Sequence, residues 1–444
     1  MRVGIAGLSH LGLVTGICLA SKGFEVIGFD EDSGLVDDLC FGCLPVSEPD
    51  LPELLYEAND KVRFTDLAQD LADCDVIYIA RDVPTDDQNI SRSECVESLL
   101  STVVDAAGPG TTVVVHSQVS PGFTREFVNR FGKLLDEKNL QVYYQVETLV
   151  FGNAVKRALE PERYIIGCVD ANAELSTAYR ALLRKFDCPI LQMRYESAEL
   201  AKISINMFLV SSVTTTNSIA ELCENIGADW EEIAGALRLD RRIGQHAYLK
   251  PGLGIAGGNL ERDLVTFQNF AARYGTDSGV VESWIENSRY RAGWVLRVLH
   301  EIVFSIKTKP RIAIWGVAYK AGTHSVKNSP SLGLIETLTS FDLCVCDPVV
   351  SPSCVEGAGV EWAESALDCC RAADVLVIMT PWPEYSELDP TLVAQAMAGK
   401  LVIDPYTALD RLSCESAGLE YKSLGVAVSQ DQFLADGKSK ESDK

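Results

Sequence analysis

The sequence predicts an α/β protein: two doubly wound parallel sheets joined by a long helical segment. Three observations carry this. Short apolar runs alternate with helical stretches through about residue 195, helical periodicity without strand pattern fills about 196–306, and strand pattern restarts at Arg311. Alternation of strands and helices is the mark of a parallel sheet covered on both faces. At roughly 150 residues per domain, 444 residues allow about three domains. The expected division is 1–195, 196–306 and 307–434, followed by a Gly/Ser/Lys/Asp-rich tail, Ala435 to Lys444, that frays into solvent.

Each element has a local reason. Arg2-Val-Gly-Ile-Ala is a short apolar strand, Gly7-Leu-Ser-His-Leu-Gly12 a turn, Leu13 to Ser21 an apolar helix, and Glu25-Val-Ile-Gly-Phe a second strand ending at Asp30. That is a βαβ unit. Further strands are expected at Val76 to Ala80, Thr112 to His116, Val142 to Tyr144 and Tyr164 to Gly167. Residues 196–227 read as one long helix, with shorter helical stretches at Trp230 to Leu237 and Ser278 to Ile306. Between them, 241–263 is a glycine-rich loop. The second sheet is expected from Arg311 to Gly316, Leu343 to Asp347, Val375 to Met379 and Leu401 to Asp404.

Composition removes whole classes. With 47% hydrophobic and 23% charged residues the chain can bury a large core. No apolar run reaches the ~18–20 residues that span a bilayer, and Met1-Arg2-Val3-Gly4 does not open a signal peptide. A net charge of −24 repels phosphate backbones, so no nucleic-acid partner is expected. Fourteen scattered cysteines, mostly inside apolar stretches, read as reduced buried thiols of a cytoplasmic protein. Cys40-Phe-Gly-Cys43 has redox spacing without the strand-to-helix setting, so it reads as structural. No His/Cys/Asp cluster has ligand spacing, so no catalytic metal is expected.

The first turn is G-x-S-x-x-G. Gly7 permits the tight turn and Gly12 lets helix and strand pack closely, while Ser9 stands where a second glycine lets backbone approach a pyrophosphate. With Asp30 ending the next strand, the order strand–loop–helix–strand–acid predicts a dinucleotide. The acid would bind the adenosine ribose 2′-hydroxyl and favour NAD over NADP. Lys202 and Asn206 lie four apart on the long helix, hence on one face. Gly252 to Asn259, followed by Arg262-Asp263, is backbone that could wrap a ligand and offer N–H groups to phosphates. Tyr319 and Lys320 follow a strand, where α/β ligands sit.

Taken together these segments resemble the UDP-glucose/GDP-mannose dehydrogenase family, collinearly over about residues 1–430. The segments are Gly7 to Gly16, Val83-Pro-Thr85, Ser117 to Gly122, Ala198 to Lys202 with Asn206, Arg242-Ile-Gly244, Gly254 to Asp263, Tyr319-Lys320, Asp347-Pro348 and Thr380-Pro-Trp382. The resemblance implies two Rossmann-like domains, the first for NAD and the last for a sugar nucleotide, with a helical dimerisation segment between. It implies a twofold oxidation of a nucleotide-sugar alcohol by two NAD⁺. Residues matching Lys202, Asn206 and Asp263 hold the reacting hydroxyl and a water, and Asp263 should also keep Lys202 in place. Glu147 acts as acid/base or orients that water. Cofactor contacts are implied at Gly7, Ser9, His10, Leu11, Gly12, Asp30, Val83, Thr85, Gln118 and Lys327. Substrate contacts are implied at Lys202, Asn206, Arg242, Tyr248, Gly254, Gly257, Tyr319 and Lys320, with Arg242 reaching into the partner subunit's site.

The departures fall on the chemistry. The family's nucleophilic cysteine aligns with Asn259, its following proline and lysine with Glu261 and Arg262, a threonine with Gln118, a second acid with Phe151, and two arginines with Lys327 and Tyr406. Aldehyde-to-acid oxidation by hydride transfer is served by a thiolate adduct and a thioester, and an amide supplies neither. The first oxidation needs only a base, alignment and charge stabilisation. The expectation is therefore an NAD-dependent nucleotide-sugar oxidoreductase with a two-electron or redox-neutral outcome. The alternatives are a non-catalytic binder of the same ligands and a dehydrogenase of a non-nucleotide substrate. A homodimer is expected on the long helix, whose apolar positions exceed one stripe.

Overall fold

The computed structural model describes residues 1–86, 91–357 and 359–427, so the tail from Ala435 lies outside the described residues. The chain forms two compact units, Met1–Ile205 and Asn206 onward.

The first unit is built on eight strands: β1 Arg2–Ala6, β2 Glu25–Phe29, β3 Val62–Thr65, β4 Val76–Ile79, β5 Thr112–Val115, β6 Gln141–Gln145, β7 Tyr164–Cys168 and β8 Ile190–Arg194. Their order is β3-β2-β1-β4-β5-β6-β7-β8. The first six therefore take the 3-2-1-4-5-6 order of a doubly wound dinucleotide fold. β4 and β5 are buried on both faces, as expected of apolar strands at the centre of a parallel sheet.

One pairing departs from the parallel reading: β6 and β7 are antiparallel, with Tyr144 opposite Gly167. The chain after β6 is held in place. Gly152 and Ala154 donate their N–H groups to buried Glu48 at 2.8 and 3.2 Å. The connection to β7 carries one short helix, Ala154–Leu159, and the strand returns in the opposite sense.

The second unit carries β9 Arg311–Trp315, β10 Asp342–Cys346, β11 Glu361–Trp362, β12 Val375–Ile378, β13 Leu401–Ile403 and β14 Glu420–Lys422. Their order, β11-β10-β9-β12-β13-β14, repeats the same winding with every pair parallel.

Between β8 and β9 in sequence comes a 32-residue helix, Tyr195–Ile226. It leaves Leu200, Phe208, Leu222 and Ile226 exposed. Two helical expectations need correction. The stretch expected as one helix to Ile306 is broken at Gly293, whose N–H bonds the Tyr290 carbonyl, and resumes as Trp294–Val298 and a π-helical Leu299–Phe304. A helix absent from the sequence reading, Asn259–Tyr274, begins inside the expected glycine loop and buries Asp263, Leu264 and Ala271. All fourteen cysteines are free thiols, nine of them buried; Cys40 and Cys43 are exposed.

Candidate active site

In the first unit the expected cofactor residues lie at the carboxyl ends of β1, β2 and β4. Gly7 has φ +91°, and a side chain there would strike Arg81. A Cβ on Gly12 would lie 1.8 Å from the Gly7 carbonyl oxygen, so helix and turn meet only because both are glycine. The helix His10–Ser21 starts at once, presenting its first N–H groups to this turn. Asp30 is buried and accepts from Leu8 N–H at 2.8 Å, Asp32 N–H at 3.2 Å and the Arg81 guanidinium at 3.0 Å.

The serine in the turn is more than a tolerated small residue. Ser9 Oγ accepts from Asp82 N–H at 2.8 Å and donates to the Ala80 carbonyl at 3.3 Å. Asp82 in turn accepts from Leu11 N–H at 3.3 Å. A carboxylate thus sits on the helix N-terminus, where the fold places a dinucleotide's pyrophosphate. His10 bonds Glu48 at 2.8 Å and its ring lies 4.2 Å from that of Phe151. Val83 is buried, Thr85 bridges to Ser91, and Gln118 is half-buried.

Also in the first unit, Lys202 Nζ donates to the Glu147 carboxylate and to the Glu147 carbonyl, each at 3.0 Å. Both side chains are largely buried, at 13% and 16% exposure. Burial pushes the Glu147 carboxyl up, but the charge and hydrogen bond of Lys202, with His116 and the Leu149 N–H, bring it below its ordinary value. Glu147 is therefore an anion at neutral pH.

The second unit holds the other expected groups. Asn206 Nδ2 donates to Asp263 at 2.5 Å, and Arg262 Nε approaches the other carboxylate oxygen at 3.4 Å. Within the second unit Asp263 is gripped by Asn206 and Arg262, and within the first unit Lys202 is held by Glu147. Asn259 is the first residue of its helix and is exposed.

The Tyr319 ring lies where a Gly257 side chain would be, and Lys327 runs beside Gly258. Lys327, expected with the cofactor, is thus placed against the loop expected to wrap the substrate. Asn328 donates to the Gly257 carbonyl at 3.1 Å and to Glu261. Beside Gly254, Ile255 N–H bonds Ser288. Lys320 Nζ sits 5.7 Å from the Tyr319 ring centre. Tyr406 packs on Gly252. Arg242 and Tyr248 are not brought to this cluster: Arg242 is exposed and grips Asp240 at 2.7 Å, and Tyr248 is half-exposed. Among the described residues no group of three or more His, Cys, Asp or Glu is arranged to hold a metal.

Sequence reasoning missed Arg81, Asp82, Glu48 and His116. A usable signal existed for the first two. They follow directly on a strand that reads clearly, at the carboxyl end where such folds bind ligands.

A glycine turn opening a helix, a buried acid on the next strand, and a second sheet of the same winding define a nucleotide-binding α/β protein. The chain matches the NAD binding domain of the UDP-glucose/GDP-mannose dehydrogenase family over residues 1–187, its central domain over 196–289 and its UDP binding domain over 313–411. It belongs to that family and is an NAD-dependent nucleotide-sugar dehydrogenase. It is 27% identical to a UDP-glucose 6-dehydrogenase of Rickettsia typhi, over 96% of this chain and 100% of that one. It is likewise 27% identical to one of Bacillus subtilis, over 96% and 93%. A UDP-glucose dehydrogenase structure from the archaeon Pyrobaculum islandicum superposes with a TM-score of 0.82 at 26% identity, covering 95% of this chain and 96% of that one.

Proposed function

We propose that this chain removes one hydride from a nucleoside-diphosphate sugar and stops at a two-electron or redox-neutral product. The bound nicotinamide supplies the hydride acceptor. Gly7, Leu11 and Gly12 seat the pyrophosphate, Asp30 the adenosine ribose, and Val83, Thr85 and Gln118 line the same seat. Glu147, anionic beside Lys202, takes the hydroxyl proton. Lys202 has three donors; two go to Glu147 and the third stabilises the developing alkoxide. Asn206, one helical turn further along, is fixed by Asp263, which Arg262 also holds. The glycine loop with Tyr319, Lys320 and Lys327 grips the sugar nucleotide.

The observation that carries the reading is Asn259 at the head of its helix, where the resemblance places the family's thiol. An amide forms no thiohemiacetal, so covalent progress to the acid is closed. The 1–195, 196–306 and 307–434 division assigns NAD, dimerisation and sugar nucleotide to successive segments. Exposed Phe208, Leu222 and Ile226 on the long helix support a homodimer there, with exposed Arg242 exchanging Asp240 for the partner's site. Reduced free thiols support a cytoplasmic location.

The test is stoichiometry with UDP-glucose and related sugar nucleotides: NADH formed per sugar consumed, with the product weighed by mass spectrometry. One NADH, or none with an epimer, is expected. Two NADH per sugar with a trapped acyl-enzyme overturns the proposal.

A further inference from the structure

Glu147 stands on irregular chain. After β6 ends at Gln145, residues 146–153 form neither strand nor helix, and Val150 and Phe151 at the tip are exposed. The Leu149 N–H bonds the Glu147 carboxylate, so the orientation of that group depends on the path of the chain after it. A reacting group on such a segment keeps its geometry only where the segment is supported from outside. Two supports lie near its start: Lys202 Nζ on the Glu147 carbonyl at 3.0 Å and Arg157 Nε on the Thr148 carbonyl at 2.6 Å. A third lies at the far end and comes from a distant part of the chain.

Glu48 supplies it. Its side chain is fully buried and both carboxylate oxygens accept: Oε1 from His10 Nε2 at 2.8 Å and from Gly152 N–H at 2.8 Å, Oε2 from Ala154 N–H at 3.2 Å. A carboxylate accepts, so Nε2 carries a hydrogen of the ring. Gly152 turns with φ +81°, and Asn153 N–H bonds the Val150 carbonyl at 2.9 Å. Phe151, within this turn, has its ring 4.2 Å from that of His10. His10 is the first residue of the helix His10–Ser21, whose head the fold assigns to the pyrophosphate. One buried carboxylate therefore ties the head of that helix to the tail of the Glu147 segment, across 38, 104 and 106 positions of sequence. Among the described residues no lysine or arginine pairs with Glu48, so it leans on these three donors and they on it.

We propose that Glu48 is a positioning residue of this enzyme, coupling the cofactor seat to the proton acceptor so that the Glu147 segment and the head of the cofactor helix are set as one piece. This rests on the assignment of Glu147 as proton acceptor made above. Glu48 acts through His10 and through the chain at 152–154. An apolar side chain could fill the same space without the cost of burying a charge; what the carboxylate adds is direction, fixing two N–H groups and one ring at once. The coupling is reciprocal. Whatever loosens the Glu147 segment loosens the head of the helix, and a dinucleotide seated on Leu11 and Gly12 steadies Glu147.

Glu48→Gln keeps the shape and one acceptor oxygen but cannot serve all three donors. Its test is a single turnover of UDP-glucose at saturating NAD⁺, followed as NADH. The rate constant should fall by about 10–100-fold with the amplitude per subunit kept. By calorimetry NAD⁺ should bind ~5-fold or more weakly. A smaller amplitude at the parent rate constant overturns the proposal, because a purely structural group changes only the fraction of active enzyme. Parent affinity for NAD⁺ overturns it as well.

His10→Leu opens only the helix side of the clamp and serves where Glu48→Gln does not fold. It too should slow hydride transfer at saturating NAD⁺, although the bond it removes goes to Glu48 and not to Glu147; the parent rate constant there overturns the coupling. The double variant should lose no more than the worse single one, and additive losses overturn the link. Glu147→Gln separates the two readings. Parent turnover in that variant removes the assignment of Glu147 and the coupling with it. A collapse there, with the parent rate constant in Glu48→Gln, removes the coupling alone.

Discussion

The two sheets solve the same turn twice and differ in one side chain and one length. In the first unit Gly7 follows β1, the acid ending β2 is Asp30, and it accepts from Leu8 N–H. In the second unit Gly316 follows β9 at φ +90°, the acid after β10 is Asp347, and it accepts from Val317 N–H at 2.7 Å. Each acid takes one more donor from the loop after the fourth strand: the Arg81 guanidinium on Asp30, and the neutral Trp382 indole at 3.1 Å on Asp347. The difference in length matters more. After β1 the helix begins at His10, so its N-terminus faces the turn. After β9 the next helix begins only at Pro330, and the loop between carries Tyr319, Lys320 and Lys327. One copy of the fold therefore offers a helix dipole for a dinucleotide. The other offers long side chains in its place.

If the first unit handles protons and hydride alignment while the second mainly grips the nucleotide, single substitutions should divide accordingly. The largest expected effect is Lys202→Met, lowering kcat by ~10²–10⁴ with the sugar-nucleotide KM little changed. Lys320→Ala should do the reverse, raising KM with kcat largely kept. Steady-state kinetics on both variants decides this, and a kcat collapse in Lys320→Ala would break the comparison.

A smaller effect sharpens the contrast at the helix N-terminus. Asp82 holds the Leu11 N–H that a pyrophosphate would use. Asp82→Ser removes a like charge from the anion seat and should tighten NAD⁺ by ~2–5-fold. Calorimetric titration of the two proteins at one salt concentration measures it.

The smallest is a difference in acid response. His116 is held below its ordinary 6.5 by burial, so its contribution to stability is full above 6.5 and falls as pH drops below it. Glu147, net lowered from 4.5, adds a second loss as pH falls below 4.5 toward its folded value. Asp404 in the second unit runs the other way. Burial raises it from 3.8, so its contribution is full at low pH and is lost as pH rises toward its folded value. Hydrogen exchange followed from pH 7 to pH 4 should therefore show the first unit opening before the second, and the opposite order would count against these groups as the cause.

The sequence by itself determined the alternation of strands and helices, the long helix, the glycine turn and its acid, because each is written in local periodicity or in a residue type with a narrow conformational use. It also placed Lys202 and Asn206 on one helical face, since four residues is about one turn. Tertiary structure alone decided which partner each charge takes. Lys202 meets Glu147 across 55 positions and Asp30 meets Arg81 across 51. No local pattern encodes such pairings. The helix Asn259–Tyr274 escaped for a related reason. Its first turn follows directly on the glycine run, and the apolar face that fixes it packs on Val210 and Val281, which lie far away in sequence. The role of Ser9 was hidden in the same way: a hydroxyl's partner is set by what folds over it, and here that is the loop after β4.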